Sequence, residues 1–242
     1  MMHANIEQAR KIGIVPEKFK IITLYILLSA GGLWHVLGVF QGLMALLAGP
    51  LVVGISLWIF FQCRQAHGEM QKLNTKAAPA LMSRFSAWSA AVALVSFGIE
   101  WLGVQTGAVF GEYRYGQTLR PQLGGVPLAI GFAWLGMLLS SVALLQKAIP
   151  RFADRNPAAL GLAAGLLMVL FDVVMEPAAI TLGYWSWSGN VVPLQNYLAW
   201  WLISFLFTFG GLQLGLFREK LPAPALHAFF AQLLYFAIVG LI

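Results

Sequence analysis

The chain has 242 residues, of which 60% are hydrophobic and 10% charged, and its mean hydropathy is +0.78. A water-soluble domain of this length does not carry that composition, so the expectation is a single integral membrane domain over residues 1–242. One cysteine, Cys63, excludes an internal disulfide and a cysteine-held metal cluster; the formal charge of +6 sits in short connections between apolar runs, a topology signal rather than a nucleic-acid surface.

The first twenty residues mix acids with bases ahead of a long apolar run. They read as a cytoplasmic lead-in to a first span, not as a cleaved signal peptide. Seven apolar runs reach the roughly 20 residues that a helix needs to cross a bilayer. They lie near 20–40, 42–62, 84–105, 126–146, 157–182, 194–217 and 222–242, which predicts an all-α polytopic fold of about seven transmembrane helices. Arg10, Lys11, Lys18 and Lys20 precede the first run; Arg64, Lys72, Lys76 and Arg84 lie between the second and third. Lys147, Arg151 and Arg155 follow the fourth, and Arg218 and Lys220 follow the sixth, leaving Arg114 and Arg120 for the opposite face. Basic residues mark the cytoplasmic side, so the N-terminus is predicted inside and the C-terminus outside an inner or plasma membrane. The loop 106–125 is then external and the loop 62–83 internal.

The acids divide differently. Glu7, Glu17, Glu69, Asp154 and Glu219 accompany the bases, whereas Glu100, Glu112, Asp172 and Glu176 fall in the outer parts of spans three and five or in the outer loop after span three. Asp172 and Glu176, at i and i+4 within an apolar run, share one helix face. Carboxylates within a span are costly and by default mark function; the alternative is a structural pair bonded to neighbouring helices. Trp34, Trp101, Trp185 and Trp187 cluster near the same edge, and an interfacial aromatic belt accounts for some of them.

Val126-Pro-Leu-x-x-x-x-Ala-Trp134 and Val192-Pro-Leu-x-x-x-x-Ala-Trp200 agree at five of nine positions. Each opens a span and follows a Gly- and aromatic-rich loop, Phe110–Gly116 or Gly183–Gly189, and each loop follows a span with an acid near its outer end, Glu100 or Glu176. Spans three–four and five–six therefore read as parallel repeats, an arrangement that tends to hold a substrate between its halves; chance similarity of two Leu- and Trp-rich spans is the alternative.

Absent motifs narrow the chemistry further. No dinucleotide-binding or P-loop glycine pattern occurs, and His3, His35, His67 and His227 are scattered rather than spaced as ligands. His35 lies near the outer edge, where an interfacial role is the simpler reading. No paired Asp-rich motif is present to hold magnesium. Seven spans invite a retinal-binding reading, but the last, Pro222 to Ile242, has no lysine for a Schiff base.

The loop Phe110-Gly-x-Tyr-x-Tyr115 with Gly125-Val-Pro-Leu and Ala133-Trp134 resembles the membrane-bound carotenoid biosynthesis proteins of the carotenoid 1,2-hydratase type, which act on gamma-carotene or bisanhydrobacterioruberin. Asp172 to Glu176-Pro177, Trp185-Ser-Trp187, Val192-Pro-Leu, Asn196 and Trp200 look like that family's other signature, and the similarity covers roughly residues 95–205. The chain departs from the pattern with Glu176-Pro177 in place of Asp-Pro, which keeps the carboxylate, and with Val109 in place of a proline, which reshapes the loop's entry.

The resemblance implies hydration of the terminal C1=C2 double bond of an acyclic carotenoid end group, without cofactor or metal. The substrate would come from the lipid bilayer; membrane lipid is the other expected partner, and nucleic acid is not one. Water is too weak an acid to protonate such an alkene, whereas a carboxyl group withdrawn from water can hold a proton near neutrality and donate it. On this reading Glu176 and Glu100 are candidates for the acid, and Asp172 orients or deprotonates water. Tyr113, Tyr115, Trp185 and Trp187, with Trp134, Asn196 and Trp200, line the substrate site, where aromatic faces steady the tertiary cation. Glu112, on the loop, is expected to pair with Arg114 and Arg120. Membrane-type lycopene cyclases begin with the same protonation, but their acidic Pro-x-Glu-Glu/Asp signature is missing. A non-catalytic carotenoid carrier or a proton-coupled transporter ranks third.

Overall fold

A computed structural model describes residues 16–71 and 78–242. Most of the lead-in, with His3, Glu7, Arg10 and Lys11, lies outside the described residues, as do Lys72 and Lys76.

Among the described residues seven α-helices follow one another: α1 (Glu17–Val36), α2 (Gln41–Gln71), α3 (Ala78–Thr106), α4 (Ala129–Ala148), α5 (Pro157–Thr181), α6 (Leu194–Gln213) and α7 (Ala223–Val239). The first five are each long and apolar enough to cross a membrane. At 17 residues α7 is shorter, and α6 opens with the polar side chains of Gln195, Asn196 and Tyr197, which dilute its hydropathy. Large apolar side chains stand exposed around the bundle, among them Ile26, Leu46, Leu94 and Leu202, as expected of a surface that faces lipid.

The helices overrun the apolar runs where polar residues can still continue a turn. The second apolar run spans 42–62, yet α2 continues to Gln71, and α3 starts at Ala78 rather than 84. In that extension the Arg64 guanidinium donates to the Ser86 hydroxyl at 3.2 Å, and the His67 ring bridges the carbonyls of Cys63 and Leu216. The fourth span is shifted the other way: Val126 and Pro127 belong to a strand, and α4 begins at Ala129.

Helix α4 is the axis of the bundle. It packs against α2, α3, α5 and α7 and is buried over most of its length, which suits a helix apolar on every face. Asn156 accepts the Ala158 N–H at 2.8 Å to cap α5, and Pro157 occupies the first turn, where its missing donor costs nothing. Helix α6 lies along α5, seated on Gly161 and Gly165: a side chain at Gly165 would run into the Trp201 carbonyl, and one at Gly161 into the Phe205 ring. Helix α1 packs mainly on α7.

At one end of the bundle the connections after α3 and α5 are not free loops. Strand β1 (Tyr113–Tyr115) pairs antiparallel with β4 (Trp185–Trp187), in register Tyr113 to Trp187, Arg114 to Ser186 and Tyr115 to Trp185. Strands β2 (Gln122–Leu123) and β3 (Val126–Pro127) form a hairpin whose turn, Gly124-Gly125, has positive φ at both positions, as the type I′ class of two-residue turn requires. Side chains alternate across a strand, so the exposed Arg114 and Ser186 mark one face of the β1–β4 ladder and the four aromatics the other.

The ladder also expresses the internal repeat. Tyr113 and Trp185 are equivalent in the two halves, as are Tyr115 and Trp187. The pairs Tyr113–Trp187 and Tyr115–Trp185 are therefore exchanged by a two-fold operation. Below them Trp134 and Trp200, equivalent residues of α4 and α6, stack with ring centroids 4.3 Å apart and 28° between planes.

Candidate active site

Between the ladder and α3–α7 lies a cavity of about 810 Å³. Every residue singled out from the sequence as catalytic or substrate-binding lines it. Two carboxylates enter from α5, one from α3, two tryptophans from α4 and α6, Asn196 from α6, and four aromatics from β1 and β4.

Glu100, buried near the end of α3, is held from three sides. Its Oε2 accepts from the hydroxyls of Tyr113 at 2.5 Å and Tyr115 at 2.8 Å, and its Oε1 accepts from the Trp134 indole N–H at 2.9 Å. Burial, reinforced by the nearby Glu100 charge, pushes the Tyr113 and Tyr115 phenols well above their ordinary pKa, so both remain neutral donors.

Glu176 occupies the equivalent place on α5. Its Oε2 accepts from the indole N–H groups of Trp185 at 3.0 Å and Trp187 at 2.9 Å, while among the described residues no donor reaches Oε1. Pro177 follows it within α5, leaving the Val173 carbonyl without its helical donor. One turn earlier, fully buried, Asp172 accepts from the Asn196 amide through Oδ2 at 2.6 Å, and its Oδ1 has no partner among the described residues. A buried carboxylate oxygen left unpaired at the wall of a cavity is where an ordered water or a substrate hydroxyl belongs.

The belt reading holds for some of the tryptophans only. Trp101 is exposed and Trp34 half-buried, whereas the indoles of Trp185 and Trp187 are turned onto Glu176. Glu112 is exposed and does not line the cavity. Its expected ion pairs are not formed among the described residues; the Arg120 guanidinium donates instead to Gln117, whose amide oxygen lies closer along the loop. The His35 ring pairs with Gln41 at 3.0 Å and lines a separate, more polar cavity of about 640 Å³. Among the described residues no group of three or more His, Cys, Asp or Glu is placed to hold a metal ion.

Sequence reasoning missed the contribution of α7. Gln232 and Phe236 line the cavity, as do Phe110 and Tyr184 from the two connections. The available signal was Gln232, the lone amide of a last span whose other polar side chains are His227 and Tyr235. The ladder was also missed, although aromatics at 113, 115, 185 and 187 alternate with a period of two.

Residues 69–241 match the family described as "Carotenoid biosynthesis protein". Bisanhydrobacterioruberin hydratase of Haloarcula japonica is 33% identical over 142 residues, 55% of this chain and 48% of the relative, so the chain spans about half the length of that curated relative. No solved structure matches. With well over half of its length matched, the chain belongs to the carotenoid biosynthesis protein family.

Proposed function

We propose that this membrane protein adds water across the terminal C1=C2 double bond of an acyclic carotenoid end group, giving a tertiary alcohol at C1. The observation that carries the reading is one face of α5: Asp172 and Glu176 each present an unpartnered oxygen to a cavity otherwise walled mainly by aromatic and aliphatic side chains. Neither a carrier nor an inert scaffold has use for such oxygens.

In the proposed reaction the Glu176 carboxyl gives its proton through Oε1 to C2. The π electrons form the new C–H bond and leave a tertiary cation at C1. The Trp185 and Trp187 rings, fixed by their own N–H bonds to Oε2, and the Trp134–Trp200 stack offer π faces to that cation without trapping it. A water held by Asp172 Oδ1 attacks C1, and Asp172 takes the proton that the new oxonium releases. Transfer of that proton from Asp172 to Glu176, one helical turn away, restores the starting state, so the balance is alkene plus water to alcohol.

Glu100 has a different part in this scheme. Both of its oxygens already accept, so it anchors Tyr113, Tyr115 and Trp134 around the end group rather than donating to it. The cavity of about 640 Å³ lined by His35, Gln41, Thr118 and Thr181 shares Tyr184 with the active cavity and offers water a polar approach.

In a host that makes acyclic carotenoids, expression of the protein should convert pigment into a more polar product heavier by one water. An unchanged pigment, or one isomeric with the precursor, would overturn the proposal; the isomer would indicate cyclisation. We further propose that the site end of the bundle faces outward, following the sorting of basic residues. In a Cys63→Ser background, an impermeant thiol reagent should label Gln117→Cys and not Ala153→Cys, both exposed positions. The reverse pattern would invert the orientation.

A further inference from the structure

A third cavity, of about 790 Å³, runs as a groove between α1 and α2 with α7 as its floor. It shares Val52, Tyr184, Gln232 and Phe236 with the active cavity, so the two spaces meet at one wall. Leu27, at its lining, is exposed to the lipid side, and α1 and α2 touch each other only slightly, because α1 packs on α7 while α2 packs on α4. The groove's lining is mainly apolar, and the Gln232 amide donates to the Ala228 carbonyl of its own helix at 3.1 Å.

We infer that this groove is the binding subsite for the conjugated polyene chain of the substrate whose end group reaches the carboxylates, entered sideways from the bilayer between α1 and α2. The inference rests on the carotenoid reading of the active cavity and adds to it the path of the remaining chain. An end group seated by Asp172 and Glu176 is one tip of a long, rigid hydrocarbon rod, which must leave the cavity through an apolar opening. The wall of Val52, Gln232 and Phe236 supplies that continuity, and the groove beyond it leads to lipid. Within a bilayer, burial from water no longer distinguishes one hydrocarbon from another, so fit and rigidity decide occupancy. A conjugated chain, already straight, loses less conformational freedom in a narrow groove than a flexible acyl chain does. Val52, Gln232 and Phe236 then set how deeply the chain can advance, and with it which double bond meets Glu176.

Leu51 and Ile55 line the groove but not the active cavity, so Leu51→Trp and Ile55→Trp narrow the path without touching the chemistry. Two substrates are compared in lipid discs: a full-length acyclic carotenoid, and a short isoprenoid with the same end group whose chain ends inside the active cavity. Turnover of the carotenoid should fall by at least about tenfold, mainly through KM, while the short compound stays within about twofold of the unaltered protein. Equal losses on both substrates, or none on either, would overturn the inference; no loss on either is also what a groove filled by lipid acyl chains predicts. If the unaltered protein hydrates neither substrate, the hydration reading fails by itself, and the groove is judged by bound polyene per protein from visible absorbance. Binding should then drop by about fivefold or more in both variants; undiminished binding overturns the groove assignment.

Discussion

In the first half of the repeat Glu100 accepts hydrogen bonds through both oxygens, from Tyr113, Tyr115 and Trp134; in the second half Glu176 accepts from Trp185 and Trp187 through one oxygen and keeps the other free. One turn before each glutamate the halves differ again. On α3 the residue is Ser96, whose hydroxyl donates to the Val92 carbonyl of its own helix at 2.6 Å; on α5 it is Asp172, with an unpartnered oxygen. On the proposed mechanism the two halves, built to one plan, divide the work. The first is a saturated frame that fixes aromatic rings, and the second carries the oxygens still free to exchange protons. A buried carboxylate is therefore not by itself a sign of catalysis, and its unoccupied acceptor positions are the more telling feature.

The largest expected effect breaks the comparison at its active side. Glu176→Gln keeps an oxygen that can accept from both tryptophans but has no acidic proton, so turnover should fall by about 10² to 10⁴-fold. Thermal stability and retained carotenoid should stay close to those of the unaltered protein. Substantial residual turnover would move the donor role elsewhere.

The equivalent change in the other half should have the opposite profile. In Glu100→Gln the amide nitrogen faces groups that are themselves donors, and the Trp134 N–H cannot reverse its role as the tyrosine hydroxyls can. Stability should drop by about 1–3 kcal/mol, the usual cost of a buried donor left unpaired. Activity should fall less than in Glu176→Gln, read by thermal unfolding and turnover side by side. If Glu100→Gln were stable and inactive, the frame and the donor would have to be exchanged in this account.

The smallest effect belongs to Glu112→Gln. This side chain is exposed and outside the cavity, so turnover and unfolding temperature should both stay within about the scatter of surface substitutions, ±0.5 kcal/mol in stability. A large loss of activity would bring the loop after α3 into the chemistry.

Much of this contrast was visible in the sequence as parts and not as roles. Apolar run lengths give the seven helices, and the i, i+4 spacing gives the shared face of Asp172 and Glu176, because both follow from local geometry. The Val-Pro-Leu and Ala-Trp echoes reveal the repeat. Which glutamate is saturated depends on Tyr113, Tyr115, Trp185 and Trp187 pairing across two distant connections, and short strands of three residues leave little periodicity to read. The contribution of Gln232 and Phe236 depends on where α7 packs, which no local pattern specifies. The ion pairs expected at Glu112 follow from proximity in sequence alone, and exposed charges hold such pairs weakly.

The central claim is that water, activated without oxidation, supplies the oxygen at C1. Purified protein in lipid, given an acyclic carotenoid in ¹⁸O-labelled water under anaerobic conditions, tests it directly. The account predicts a tertiary alcohol carrying the label, formed without oxygen gas and lost in Glu176→Gln. An isomer of the substrate without label, or a product that appears only when oxygen is admitted, would contradict it.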